Sequence, residues 1–237
     1  MNLDPGTIAI IQLAWSRRLG LADDALAGDG SRIYSVQEQS RQVKFVRLFG
    51  REVFCGPAWA ADRARGKSAD ELSRHTALAS LSVEYGGRTV GADRLCFADS
   101  FPGPVEPADD VAVAEDQEFA LELQRRCPPD DVAEAGLAEK EQLFIVVDDS
   151  SDEPVPLAGA GYTIRDGILA DISTLTAPDA RRRGMGRYIT SVAVEEAMAA
   201  GLIPQFRAPM DNLGAARTAA GAGFVAAGLC SEVQLSA

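Results

Sequence analysis

Between residues 176 and 187 the chain reads Thr176-Ala-Pro178-Asp-Ala-Arg181-Arg182-Arg183-Gly184-Met185-Gly186-Arg187, with four arginines in a chain that is acidic overall. The stretch follows a strand predicted over 168–176 and opens a helix predicted over 184–200. Ile189, Val192, Ala193 and Ala197 make that helix's inner face. A helix N-terminus exposes unpaired N–H groups and the positive end of the macrodipole. Glycine at 184 and 186 leaves no Cβ to hold a phosphate away from those donors. The simplest ligand for such a turn is a pyrophosphate. A dinucleotide loop shares these ingredients but needs a third glycine, and Ile189 stands there. Taken alone, the stretch is equally readable as a solvated, arginine-rich surface turn.

The elements that must position this turn follow from hydrophobic periodicity. Residues 143–147, 157–164 and 168–176 read as successive strands, 203–207 and 224–234 as later ones, and 117–126, 130–139 and 213–220 as helices. A further short strand is expected at 111–114. Strands interleaved with helices imply an α/β (α+β) domain with a mixed, twisted sheet flanked by helices. Residues 99–110 hold three prolines and four acids and read as a stiff linker. They separate a smaller α+β domain, 1–98, from the domain at 111–237. In the first domain Ile8, Ile11, Trp15 and Leu19 give a helix over 6–19. Strands at 43–48 and 53–55 flank Phe49-Gly50-Arg51 as a hairpin. Helices over 58–65 and 69–83 and a strand at 95–97 complete it.

Other chemistry-bearing residues carry less. Gly66-Lys67-Ser68 looks like the end of a Walker A loop, but Ala61 occupies the required leading glycine. His75, the sole histidine, lies in a polar helical stretch and reads as solvated. Cys55, Cys96, Cys127 and Cys230 are scattered without metal-ligand spacing, so no metal is expected and a reduced cytoplasmic setting is. Cys230 reads as a core thiol rather than a nucleophile. The 23 basic and 35 acidic residues give a net charge of −12. That charge argues against nucleic acid and against an anionic membrane surface as partners, and favours attraction of a cationic acceptor. The start of the sequence lacks a signal-peptide pattern, and no apolar run is long enough to span a membrane.

The pattern Pro178-x-x-Arg181-x-x-Gly184-x-Gly186 resembles the acyl-CoA-binding motif of the GNAT superfamily. Asn212, Ala215, Gly223 and Phe224 resemble that family's second signature in spacing and order. The resemblance covers 111–237 and implies a GNAT acyltransferase domain whose co-substrate is acetyl-CoA or another acyl-CoA. It implies that Thr174, Leu175 and Thr176 run beside the pantetheine arm. The turn formed by Arg181, Arg182, Arg183, Gly184, Met185, Gly186 and Arg187 would hold the pyrophosphate, and Asn212 would contact the donor. The acyl group would pass directly to a small-molecule or protein amine. An acyl carrier protein is the alternative donor, and a non-catalytic acyl-CoA sensor the alternative role. Two departures stand out. Ala219 occupies the position where the family often has a tyrosine acid, and the strand before the motif offers Asp171 where many members have a glutamate base.

Overall fold

The computed structural model describes residues 3–101, 103, 105, 107, 111–150 and 153–236. The chain forms two compact units that are interleaved in sequence. One comprises 8–96, 208–212 and 226 onward, and the other 1–7, 97–207 and 213–225. Of the expected linker, 102, 104, 106 and 108–110 lie outside the described residues.

The first unit takes helix α1 (Pro5–Arg18) from Ile8 onward, and the helix buries Ile11 and Trp15 as the helical spacing predicts. Strand β1 (Ile33–Val36) was not expected. It has only four residues and none is fully buried, too short a signal for alternation to register. The predicted hairpin is present as β2 (Gln42–Leu48) and β3 (Arg51–Gly56). Phe49 and Gly50 turn it with φ of 47° and 83°, the left-handed pair that matches strand twist.

Helix α2 (Ala58–Ala64) follows, then α3 (Ala69–Leu72) and α4 (His75–Ser82) where one helix over 69–83 was expected. The break falls at Ser73 and Arg74, and Arg74 is extended. The Ser231 hydroxyl donates to the Ser73 carbonyl at 2.5 Å, satisfying an acceptor left over at the end of α3. Gly66-Lys67-Ser68 turns out to be helix-capping sequence: Ser68 and Glu71 form a reciprocal capping box on α3. Strand β4 (Arg88–Phe97) is longer than the predicted 95–97.

The second unit contains β5 (Ala112–Ala114), α5 (Gln117–Arg126), α6 (Pro129–Ala135), β6 (Gln142–Asp148), β7 (Val155–Arg165) and β8 (Leu169–Thr176). Helix α7 (Met185–Ala199), β9 (Ile203–Pro209), α8 (Leu213–Gly221) and β10 (Val225–Gln234) complete the chain. Helix α6 stops short of the predicted residue 139 because Gly136 is left-handed, with φ of 51°. The strand order β9-β8-β7-β6-β5 is antiparallel throughout except for the parallel pair β8–β9, so the sheet is mixed, as expected. Helix α7 packs on β7 and β8, burying Ile189, Ala193, Val194 and Ala197, while Val192 is only half-buried. Neighbouring residues of β8 point to opposite faces. Thr174 meets α7, and the Ser173 hydroxyl donates to the Ala135 carbonyl of α6 at 2.5 Å, so these two helices cover opposite faces.

Strand β10 belongs almost wholly to the first unit, whereas its place in the sequence put it in a domain over 111–237. It pairs antiparallel with β2 from Gly228↔Leu48 to Gln234↔Gln42. Val233 and Leu235 complete the core formed by Phe45, Phe54, Leu72 and Leu78. A Cβ built on Gly228 would lie 1.9 Å from the Arg47 carbonyl oxygen, so this pairing admits only glycine there. Gly228→Ala should therefore destabilise the chain by at least about 1–3 kcal/mol, the usual cost of overpacking. Urea unfolding of the two proteins measures it.

Candidate functional site

The site begins with the strand before the arginine–glycine turn. β8 pairs with β7 along its whole length, to Ala158↔Thr176. Its parallel register with β9 covers only Leu169↔Ile203 to Ile172↔Phe206. From Ser173 to Thr176 the strand is thus held on one edge, and the other edge parts from β9. Backbone N–H and C=O groups on a parted edge require partners from water or a ligand. Thr174, Leu175 and Thr176 all lie in this segment.

The turn that follows is fixed by backbone conformation. A short 3-10 turn over Pro178–Ala180 leads into Arg182, left-handed with φ of 64°, and Gly184, with φ of 84°. Gly184 caps α7, whose first helical bond runs from the Tyr188 N–H to the Gly184 carbonyl at 2.9 Å. The amides of Met185, Gly186 and Arg187 precede that bond and form the donor set of the helix N-terminus.

A chain of hydroxyls sets this helix end against the strand. Thr174 Oγ1 lies 2.6 Å from Thr190 Oγ1, and the Thr190 hydroxyl approaches the Gly186 carbonyl at 2.6 Å. A Cβ on Gly186 would come within 2.8 Å of Thr176 Oγ1, so the glycine permits this close approach. Thr190 is fully buried, and periodicity alone gave no reason to single it out. A hydroxyl on the inner face of an otherwise apolar helix was the available signal, since such a group needs a partner.

The arginines divide in their roles. Arg181 ion-pairs with Asp131 at 2.5 Å and donates from Nε to the Thr176 carbonyl at 3.3 Å. Arg187 donates from Nε to the Gly221 carbonyl at the end of α8, at 2.9 Å. Both brace the turn from outside. Arg182 and Arg183 are exposed. The Asp148 carboxyl is held below its usual range by hydrogen bonds from Ser150, with a further contribution from the Arg183 charge.

Asp171 sits farther up β8, largely buried. It accepts from Gln205 Nε2 at 2.7 Å and has Arg165 Nε at 3.9 Å. Its carbonyl accepts from Lys140 Nζ at 3.2 Å. Burial pushes the Lys140 ammonium below its ordinary range, and the Asp171 charge opposes that shift. At a strand rise of about 3.3 Å per residue, Asp171 lies roughly 16 Å from Thr176. The fully buried Gln205 was not anticipated from sequence, although a lone amide in an apolar strand calls for such a partner. Ala219 is buried within α8. Asn212 falls in the other unit, and its N–H donates to the Pro209 carbonyl at 3.0 Å. All four cysteines are buried thiols. Among the described residues no cluster could hold a metal, and no helix is long and apolar enough to cross a membrane.

A mixed sheet whose parallel pair parts beside a glycine turn at a helix N-terminus is a GNAT-type fold. A GCN5-related N-acetyltransferase-like protein from Streptococcus suis shares it over 98% of this chain and 94% of its own, at 15% identity and a TM-score of 0.51. A GCN5-related N-acetyltransferase from Kribbella flavida matches 68% of this chain and 64% of its own, at 22% identity and a TM-score of 0.48. A GNAT-family acetyltransferase from Novosphingobium aromaticivorans matches 64% of this chain and 69% of its own, at 24% identity and a TM-score of 0.46. No family model matches the chain, and no curated protein matches it.

The hydroxyl chain gives a direct test of how the turn is held. Thr190→Val keeps shape but removes the group that links Thr174 to the Gly186 carbonyl. It should lower stability by about 1–3 kcal/mol, the cost of leaving a partner unsatisfied. Chemical denaturation should show this as a lower midpoint with an unchanged slope.

Proposed function

We propose that the chain is an acyltransferase that moves an acyl group, most simply acetyl, from a CoA thioester to an amine. The observation that carries this reading is the parting of β8 from β9 beside the Gly184–Gly186 helix start. The turn's amides would hold the pyrophosphate, and the edge from Ser173 to Thr176 would receive the amides of the pantetheine arm. The run from Thr176 back to Asp171 is comparable with the reach of that arm, which brings Asp171 into range of the thioester end.

In the reaction the amine lone pair attacks the thioester carbonyl carbon, the C–S bond breaks, and the sulfur leaves as a thiolate. Backbone N–H groups at the parted edge would stabilise negative charge developing on the carbonyl oxygen. The amine's proton passes to Asp171 or to water. A thiol pKa near 8.5 makes the thiolate a tolerable leaving group without a side-chain acid, consistent with alanine at 219. Holding both reactants together supplies much of the remaining acceleration.

A second reading, an acyl-CoA-binding domain without turnover, is favoured by two features. Ala219 offers no proton, and the Asp171 carboxylate is already engaged by Gln205 and Arg165. A carrier-protein phosphopantetheine arm would use the same parted edge as a CoA donor.

Acetyl-CoA at a hundred times its dissociation constant should stabilise the protein by about 2.7 kcal/mol. Gly186→Glu should abolish that effect, because both the side chain and its charge oppose a phosphate. Melting curves that ignore millimolar CoA and acetyl-CoA would remove the CoA donor from consideration. Free-thiol release with a panel of amines separates the enzyme from the sensor, and a carrier-protein donor assayed in parallel identifies the natural thioester.

Asp171→Asn keeps the Gln205 contact in reach. If Asp171 takes the proton, kcat should fall by about 10²–10⁴-fold while acetyl-CoA affinity holds. An unchanged kcat would make Asp171 a structural acceptor only.

A further inference from the structure

Lys44, Lys67 and Lys140 are the chain's only lysines. Lys44 is ion-paired to Glu232 at 3.4 Å and Lys67 to Glu71 at 3.3 Å. Lys140 instead donates to a neutral group, the Asp171 carbonyl, at 3.2 Å. An ion pair needs the charged ammonium, whereas a carbonyl also accepts from a neutral amine N–H and leaves the nitrogen lone pair open. Burial pushes the Lys140 ammonium below its ordinary range; the Asp171 charge opposes that shift, Arg165 and Arg207 reinforce it, and Glu139 opposes it. A desolvated lysine beside other cations is a common form of the amine nucleophile.

The backbone brings this side chain to β8 across β7. Lys140 follows a short 3-10 turn over Leu137–Glu139 and is itself extended. Its Cβ lies against Gly161 of β7, where an added Cβ would come within 3.0 Å of it and 2.5 Å from the Gln142 carbonyl oxygen. The absence of a side chain at 161 therefore lets the lysine stem lie close to the sheet. Gly161 pairs with Ser173, the first residue of the parted edge, and Nζ meets β8 at Asp171, two residues earlier. Lys140 is half-buried, so its nitrogen is desolvated without being sealed in the core. If the pantetheine arm runs from Thr176 toward Asp171, the thioester and this nitrogen approach the same residue.

We propose, resting on the acyl-transfer reading above, that Lys140 is a self-acylation site: its Nζ takes the acyl group from the bound thioester when no other amine is present. The neutral nitrogen attacks the thioester carbonyl carbon, the C–S bond breaks, CoA leaves as the thiolate, and one proton of the new amide nitrogen passes to water. The acylated nitrogen keeps one N–H, enough for the Asp171 carbonyl. The test is incubation of the full chain with acetyl-CoA and no added amine, followed by intact mass and peptide mapping. Wild type should gain one acetyl group, on Lys140, with Lys44 and Lys67 unmodified and a half-time independent of protein concentration. Lys140→Arg should gain none. Excess CoA should suppress the gain in wild type, as should Gly186→Glu; the CoA arm needs no variant to fold. Acetyl groups spread over all three lysines, or a gain on Lys140 that resists excess CoA, would mark reaction from free solution and overturn the proposal. A half-time that shortens with protein concentration would mark transfer between chains and overturn it too. If acetyl-CoA raises the Tm while Lys140 stays unmodified, the proposal fails and the donor site survives it. Neither a Tm rise nor a label would remove both.

Discussion

The rest of the second unit depends on one constraint: β8 must be held firmly on one edge and on both faces while its last four residues leave the other edge unpaired. An unpaired edge inside a sheet is unstable unless the strand is fixed by other means. Here β7 pairs with β8 to its end, the Ser173 hydroxyl ties one face to α6, and Thr174 ties the other to α7 through Thr190. With both faces committed, β8 cannot turn to follow β9, and the gap between them becomes a permanent feature of the fold.

The same anchoring explains the placement of the helix N-terminus. Thr190 lies one turn into α7 and reaches back to the Gly186 carbonyl while touching Thr174, so the first turn of the helix is registered against the strand. Gly186 then has to be glycine for a steric reason, because Thr176 Oγ1 occupies the space of its side chain. Gly184 has to be glycine for a conformational one, since its φ of 84° is left-handed. The two glycines of the turn thus meet different requirements, which is why the spacing between them is informative.

That spacing made the turn legible in the sequence, together with the strand before it and the helix after it. Apolar periodicity placed β6, β7, β8 and α7 within a residue or two. Three kinds of feature escaped it. β1 is too short to show alternation, and the break between α3 and α4 is met by a contact from Ser231, far away in the chain. β10 reads as the last strand of the second unit, yet its Val233 and the Leu235 that follows it fill the core around Phe45, which only tertiary packing can decide. In the site, Thr190, Gln205 and Lys140 were missed because each is a polar group whose role includes a long-range partner on β8. Single-residue partners leave no period.

Charge behaves differently from what the run of arginines suggests. Arg181 is committed to Asp131 and to the Thr176 carbonyl, and Arg187 to the Gly221 carbonyl, so both hold the turn's shape. Arg126 and Asp179 close the adjacent corner at 2.8 Å. The positive potential offered to an anion then comes chiefly from the amides of Met185, Gly186 and Arg187 and from the helix macrodipole, with Arg182 beside them at the exposed crest. Amides fixed by a backbone need no reorganisation when a ligand arrives, and their field falls off within a turn of the helix. A chain of net charge −12 repels anions at a distance, so under the proposed function a phosphate group would meet this short-ranged, preformed donor set only once it had entered the turn. On that reading shape, set by two glycines and two bracing arginines, would do the selecting that the sequence alone assigns to charge.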